Sequence, residues 1–423
     1  MWLIWCHIMI GFPAWVEARL DLQRPDFALF WTAGETAATS NDDQPYLLEP
    51  FMNRHVAWDS EFYLSIATVG YDDPAVRSVD LRDPAVRALR PDLDPALVER
   101  LDGQLTLNYS FMPFYPWMMR LVAVLLSPLG LNPIASATLA GVLISMLGTY
   151  AAMLALYDLA ANEFGPDGGV RSAFYLIAFP TALFLAQVYT EGLFIGLAFS
   201  SIALARRERW GAASLLASGA VLTRPIGIAV IIPLIWPLLG PLWQRIRGGG
   251  QEPSRLFFSF SIDTFLPILV RLVPIATFLI WYFSMHGQAF RLVESLFFGR
   301  DLLDLAGSAA DLISLAGALS GSNSQAAAYA MLELGGIGIG LVACLATLRR
   351  YPAVSIYGLA AVLIPATSGH ILASHRFLLA IPSVFIVLGR LGRSPLFDRV
   401  WTLFSILLLS VLVTLFTFDF WVG

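Results

Sequence analysis

The chain has 423 residues, is 57% hydrophobic and only 13% charged, and carries a formal net charge of −5. A soluble domain has roughly 25% charged residues, so a water-soluble globular protein is excluded and an all-α polytopic membrane protein is expected. Cys6 and Cys344, the two cysteines, lie far apart in apolar runs and indicate neither a disulfide framework nor a metal cluster.

Residues 1–16 are apolar, with no positive n-region and no clear small-residue cleavage site. A retained first span or signal anchor is expected. The run is short for a full crossing, which suggests that a few residues precede it. Residues 17–133 are expected to form a large extracytoplasmic loop. Between Glu17 and Asn108 there are 17 Asp/Glu against 8 Arg, so the remainder of the chain is net positive. Inside it, Asp73-Pro-Ala-Val-Arg77 recurs as Asp83-Pro-Ala-Val-Arg87, echoed by Leu93-Asp-Pro-Ala-Leu97. Asp at the N-cap with Pro at the first helical position suits helix starts, so 72–102 reads as short helical turns forming an inserted cap; a solvated spacer is the alternative. Trp117 to Leu129, after two prolines, reads as an amphipathic helix in the membrane interface, with a true span as the alternative.

From residue 134 to 423 apolar runs alternate with short polar breaks. Spans are expected near 134–157, 171–187, 189–205, 210–223, 226–242, 263–283, 327–347, 353–369, 375–391 and 400–420, about 11 with the first. Arg206, Arg207, Arg209, then Arg245, Arg247, Arg255, then Arg349, Arg350, then Arg390, Arg393 and Arg399 fall on one side, which is expected to be cytoplasmic. The acidic break at 158–170 fits that side least. The opposite, extracytoplasmic side receives the acidic loop, the turn at Glu191, the 284–326 loop and Ser374-His375-Arg376.

Four stretches could carry chemistry. Asp59 sits between Trp58 and Phe62, which can partly desolvate it, and a carboxylate at a water–membrane boundary can act as a general base. It could equally cap the helix that begins there. Glu61, about 200° away on a helix, reads as a solvated carboxylate. Glu191, between two apolar runs, could bind a hydroxylated acceptor or be the wet end of a hairpin. Arg224, before a helix-breaking Pro225, calls for an anionic partner: a phosphate, or a structural pair with Glu191. His375 and Arg376 at the outer boundary suit a lipid phosphate, with snorkelling as the alternative. There is no Gly-rich nucleotide loop and no basic run fit for nucleic acid. A lipid-linked donor therefore fits better than a soluble nucleotide sugar. No cofactor is required, and a divalent metal on Asp59 and other outer-face carboxylates stays open.

Trp58-Asp59-Ser60-Glu61-Phe62-Tyr63-Leu64-Ser65-Ile66-Ala67 with Gly70-Tyr71 resembles the W-D-x-x-x-Y/F-L-x-I-A-x-x-G-Y signature of the PIG-V-like mannosyltransferases. Phe111-Met-Pro-Phe-Tyr-Pro116, Phe179-Pro-Thr-Ala with Tyr189-Thr-Glu191, Leu222-Thr-Arg-Pro-Ile-Gly227, the looser Phe290 to Arg300 stretch and His375-Arg376-Phe377 resemble further family segments, in family order, over most of 54–391. The resemblance implies a GT-C fold and a glycosyltransferase that moves a hexose, mannose by family, from a polyprenyl-phosphate donor. The acceptor would be a glycolipid, a glycan or a protein. It maps the family's first-loop aspartate onto Asp59. Arg224, Arg376 and His375 would stabilise the leaving phosphate, with the lipid tail near Tyr115 and Trp117 among membrane lipids. Departures are Gly192 where the family usually has Ser, Met112 for an aromatic residue, Gln288 near a usual Asp, and the Asp-Pro-Ala region, which looks inserted. A transporter or flippase of lipid-linked sugars and a noncatalytic partner of another glycosyltransferase are the alternatives.

Overall fold

Long apolar runs must satisfy their backbone groups internally in lipid, so they fold as helices. The computed structural model describes residues 1–20, 45–246, 262–420 and 422. The 21–44 part of the acidic loop, and Arg247 and Arg255, lie outside the described residues. The chain starts with α1 (Trp2–Leu20), a short α2 (Pro45–Leu48) and α3 (Asp59–Thr68). The acidic region then forms a small cap: β1 (Ser78–Asp80), α4 (Pro84–Leu89), α5 (Pro95–Arg100) and β2 (Gln104–Thr106). β1 and β2 pair antiparallel, Ser78 opposite Thr106, a ribbon not expected from the sequence. Two of the three expected helix starts are borne out. Asp83 accepts from Ala85 N and Asp94 from Ala96 N, each with Pro at the first turn. The first copy of the motif behaves differently. Asp73 is buried, and Tyr46 Oη and Ser65 Oγ both donate to its Oδ2, so it makes a turn that anchors the cap to α3.

α6 (Phe114–Leu125) packs on one side: Tyr115, Pro116 and Met119 are buried, while the apolar Trp117, Leu121, Val124 and Leu125 are exposed. Its Arg120 donates to the carbonyls of Ile66 and Ala67 at 2.9 Å, closing the C-terminal end of α3. α7 (Pro133–Ile177) is two helices joined at Gly165, whose φ of 72° only glycine adopts freely, just before Pro166. The expected span at 171–187 is corrected here. Helix ends at Ile177, because Phe179-Pro180 disfavours its continuation, and 178–190 is an irregular segment buried in the protein interior.

α8 (Glu191–Arg206) packs along α7. A Cβ at Gly192 would collide with the carbonyl of Ser145, and one at Gly148 with the carbonyl of Gly192, so the two backbones touch at this crossing. Close approach through small residues is how helices associate in lipid, and it accounts for Gly192 at the position where Ser was expected. Gly192→Ser is expected to lower stability by about 1–3 kcal/mol through overpacking. Gly211→Ser, where nothing lies within 4 Å of a Cβ, should be near neutral. Thermal unfolding of both variants in detergent checks this, and equal shifts would count against backbone contact as the cause.

α9 (Trp210–Val221) stops before Arg224-Pro225, and a 3-10 stretch leads into α10 (Ile231–Ile246). α11 (Ile262–Phe283) follows. The segment expected as a 284–326 loop is largely helical, as α12 (Met285–Phe298) and α13 (Leu305–Ala318). α14 (Ser324–Thr347), α15 (Pro352–Ala366), α16 (Ser374–Phe377), α17 (Pro382–Leu391) and α18 (Pro395–Thr417) complete the chain. Four described helices are long and apolar enough to cross a membrane: α7, α11 from Leu266, α14 from Ala326, and α18. The α16–α17 pair, bent by 80°, makes a fifth if it is one span. The protein is thus a multi-pass membrane protein. By this measure the described residues yield five spans at most, against about 11 expected. The shortfall has a physical cause: proline and irregular segments cut several apolar runs to 10–17 residues.

Candidate active site

Asp59 opens α3, but it is not the cap. Trp58 holds that place, with φ 52° and ψ −115°, a left-handed backbone that costs a non-glycine residue about 1–3 kcal/mol. Its indole Nε1 donates to the carbonyl of Asp419 at 3.2 Å. Freed from capping, the Asp59 carboxylate meets Arg376, whose two terminal nitrogens each lie 3.3 Å from Oδ2. Arg376 Nε lies 2.9 Å from Glu191 Oε1. The same oxygen is bonded by Arg224, which also donates to Thr190 Oγ1 at 3.0 Å. Two carboxylates and two guanidiniums thus alternate in one chain: Asp59, Arg376, Glu191, Arg224. The Glu191–Arg224 pair, the structural alternative for Arg224, is present, and Arg376 ties it to Asp59. Aromatic faces flank the cations. The Arg224 guanidinium lies 4.9 Å from the Phe377 ring, and that of Arg376 lies 5.1 Å from Phe184 and 5.3 Å from Tyr189.

The irregular 178–190 segment is what brings Glu191 to α3. His55 Nδ1 lies 2.7 Å from Gln187 Oε1, Val188 N donates to the His55 carbonyl, and Tyr189 Oη donates to the Ala57 carbonyl. Burial lifts the Asp59 carboxyl above the usual carboxylate range, opposed chiefly by the positive charge of Arg376. A carboxylate held there is a stronger base than one in water.

The cluster opens onto a cavity of about 630 Å³. Trp58, Asp59, Glu61, Arg224 and Arg376 line it; Glu191, Tyr115 and His375 do not. Glu191 lies behind the two arginines, 3% exposed, so its reach is to them and not to a bound molecule. Tyr115 is fully buried, with Oη 3.1 Å from Gly141 O and Ser145 Oγ, which corrects its placement beside a lipid tail. The apolar wall is instead Phe278 and Trp281 of α11 with Ile364 and Pro365 of α15. Among the described residues no group of three His, Cys, Asp or Glu side chains is placed to hold a metal.

His375 faces away from the cavity. Its Nε2 lies 3.0 Å from the Val422 carbonyl and its Nδ1 3.4 Å from Glu333 Oε1. Glu333, fully buried in α14, also accepts from the backbone N–H of Ala373 at 2.7 Å and Ser374 at 2.6 Å. Ala373 is left-handed, φ 61°, so this carboxylate clamps the strained turn that aims Arg376. Sequence reasoning missed Glu333, although a lone carboxylate within an apolar helix is itself a signal. It also missed Glu294 and Asp301 in the cavity wall and gave Arg300 no role. Glu333→Gln can accept only one of the two backbone donors well, and is expected to cost about 2 kcal/mol. Unchanged thermal stability in detergent would remove the clamp.

No protein-family model matches the chain. Among solved structures, ArnT from Cupriavidus metallidurans in the apo state overlaps it with a TM-score of 0.43 at 18% identity, covering 88% of this chain and 60% of that one. The archaeal oligosaccharyltransferase AglB from Archaeoglobus fulgidus, in complex with an inhibitory peptide and a dolichol-phosphate, gives 0.41 at 15%, covering 98% and 55%. A curated relative, GPI alpha-1,6-mannosyltransferase 2 of Cricetulus griseus, is 28% identical over 288 residues, 66% of this chain. The chain spans about half the length of that relative, 51%. That relative bears out the resemblance to the PIG-V-like mannosyltransferases read from the sequence motifs.

Proposed function

We propose that this chain is an inverting membrane glycosyltransferase. It moves a hexose, mannose in keeping with the curated relative's name, from a polyprenyl-phosphate donor to an acceptor hydroxyl on the extracytoplasmic face. The observation that carries the reading is the convergence of Asp59, Arg224 and Arg376 on one cavity, although up to 317 residues separate them. Asp59 takes the proton of the acceptor hydroxyl. The oxygen attacks the anomeric carbon, whose bond to the phosphate oxygen breaks on the opposite face. The polyprenyl phosphate leaves with that electron pair, and the guanidiniums of Arg376 and Arg224 stabilise the charge it gains. Donors fixed before the reaction stabilise such charge best. Glu191 holds both guanidiniums in place from behind, and Glu333 and His375 hold the Arg376 turn. The polyprenyl chain lies along Phe278, Trp281 and Ile364. The distribution of arginines among the polar breaks supports the outward orientation.

The test is a transfer assay with the purified protein in vesicles, using polyprenyl-phosphate mannose and the corresponding glucose donor with a panel of glycoside acceptors. Transfer with inverted anomeric configuration is expected, fastest from the mannose donor. Donor movement across the bilayer with no transfer would replace this reading by that of a transporter.

A further inference from the structure

α12 separates the cap from the cavity. Ala289, Leu292 and Val293 bury against Val76, Leu97 and Leu105 of the cap. Phe290, Glu294 and Phe297, at helical spacing on another face, line the cavity. Arg300 lines it just beyond the helix end, its backbone N–H bonded to the Glu294 carbonyl at 3.0 Å. The Arg300 terminal nitrogen stands 3.7 Å from Glu294 Oε2. That is an ion-pair distance but longer than a hydrogen bond, so a hydroxyl can bridge the two. Arg300 Nε is buried and has no hydrogen-bond partner among the described residues. Such a donor calls for an explanation. Burial, opposed by Arg300, lifts the Glu294 carboxyl above the usual range, and the negative charge of Asp59 adds to the lift, which puts the two carboxyls within electrostatic reach. Five carboxylates and five arginines line the cavity. With a donor phosphate on Arg224 and Arg376, no net positive wall remains for a second anion.

We infer that Glu294 and Arg300 form an acceptor subsite that binds the hydroxyls of an uncharged sugar, flanked by Phe290 and Phe297, so that the acceptor is a neutral glycoside. The inference rests on the glycosyltransferase reading above. A carboxylate oxygen that accepts, beside a planar guanidinium that donates, matches vicinal hydroxyls, while the aromatic faces meet the apolar face of the ring. A site built to bind a hydroxyl rejects the analogue that lacks it.

Saturation-transfer NMR on the full-length protein in nanodiscs tests this with methyl α-mannoside and its four monodeoxy analogues. The wild type is expected to bind the mannoside and at least one deoxy analogue about tenfold more weakly. Glu294→Ala and Arg300→Gln should weaken mannoside binding by about tenfold, with Glu294→Gln between Ala and wild type. Binding of undecaprenyl phosphate, measured on the same samples, should be unchanged, which also reports an intact fold. No mannoside binding by the wild type, wild-type affinity in both variants, or parallel loss of undecaprenyl phosphate binding would each overturn the subsite. Failure of the parent reading looks different: mannoside binds as expected, but no polyprenyl-phosphate hexose is transferred to any acceptor.

Discussion

Asp59→Asn is expected to lower the transfer rate by about 100- to 10,000-fold, the usual contribution of a positioned general base, while leaving donor affinity close to wild type. The amide keeps the shape of the side chain and can still lie against Arg376, but it cannot take the acceptor proton. The effect should fall on kcat, because the proton moves only in the transition state. The pH profile gives an independent reading. Asp59 must be deprotonated to act, so transfer is lost as pH falls through its pKa. Burial has raised that pKa above the ordinary carboxylate range, so the acid limb should lie above that of an exposed aspartate. It should disappear from the residual activity of the Asn variant. Near wild-type transfer by Asp59→Asn from purified donor would end the assignment of Asp59 as base. Glu61 serves as control. It lines the same cavity but points about 200° away from Asp59 around the helix, and Glu61→Gln should alter kcat far less.

Local chemistry made part of this architecture readable. Asp-Pro pairs predict caps because the carboxylate, the ring and the helix start are contiguous, and Asp83 and Asp94 behave accordingly. Arg224-Pro225 marks a helix break for the same kind of reason. Asp73 accepts from Ala75 N just as Asp83 does from Ala85 N, yet no helix follows it, and its other oxygen is taken by Tyr46 and Ser65, distant or from another element. Asp59 divides in the same way. Its sequence context allowed a cap or a base, and only the arrival of Arg376 decides which way the carboxylate turns. Apolar periodicity marked where helices lie but not where they stop short, since the buried 178–190 segment satisfies its backbone through side chains such as Ser145 and Thr149 from α7. Glu294, Arg300 and Glu333 sit in apolar surroundings, and their roles depend on partners that no local pattern names.

Arg376→Gln is expected to be the most destabilising single change in the site. It leaves the Asp59 carboxylate without its guanidinium and Glu191 with Arg224 alone. Removing one member of a buried ion pair costs about 3–5 kcal/mol. Retention of Arg224 should bring this case to the lower end. The double variant Asp59→Asn with Arg376→Gln removes both members, so it should be more stable than Arg376→Gln by more than about 1 kcal/mol, the signature of direct coupling. Arg376→Lys separates charge from geometry. An ammonium is a point charge and cannot hold Glu191 through one edge and Asp59 through the other, as the planar guanidinium does. The Lys variant should therefore unfold at a temperature between wild type and Gln, yet transfer about 100-fold more slowly than wild type, the order seen when one donor to a developing oxyanion is lost. Thermal unfolding in detergent and single-turnover transfer on the same preparations separate the two effects. Additive stabilities in the double variant would show that Asp59 and Arg376 do not interact. Wild-type transfer by Arg376→Lys would show that charge alone suffices at the leaving phosphate.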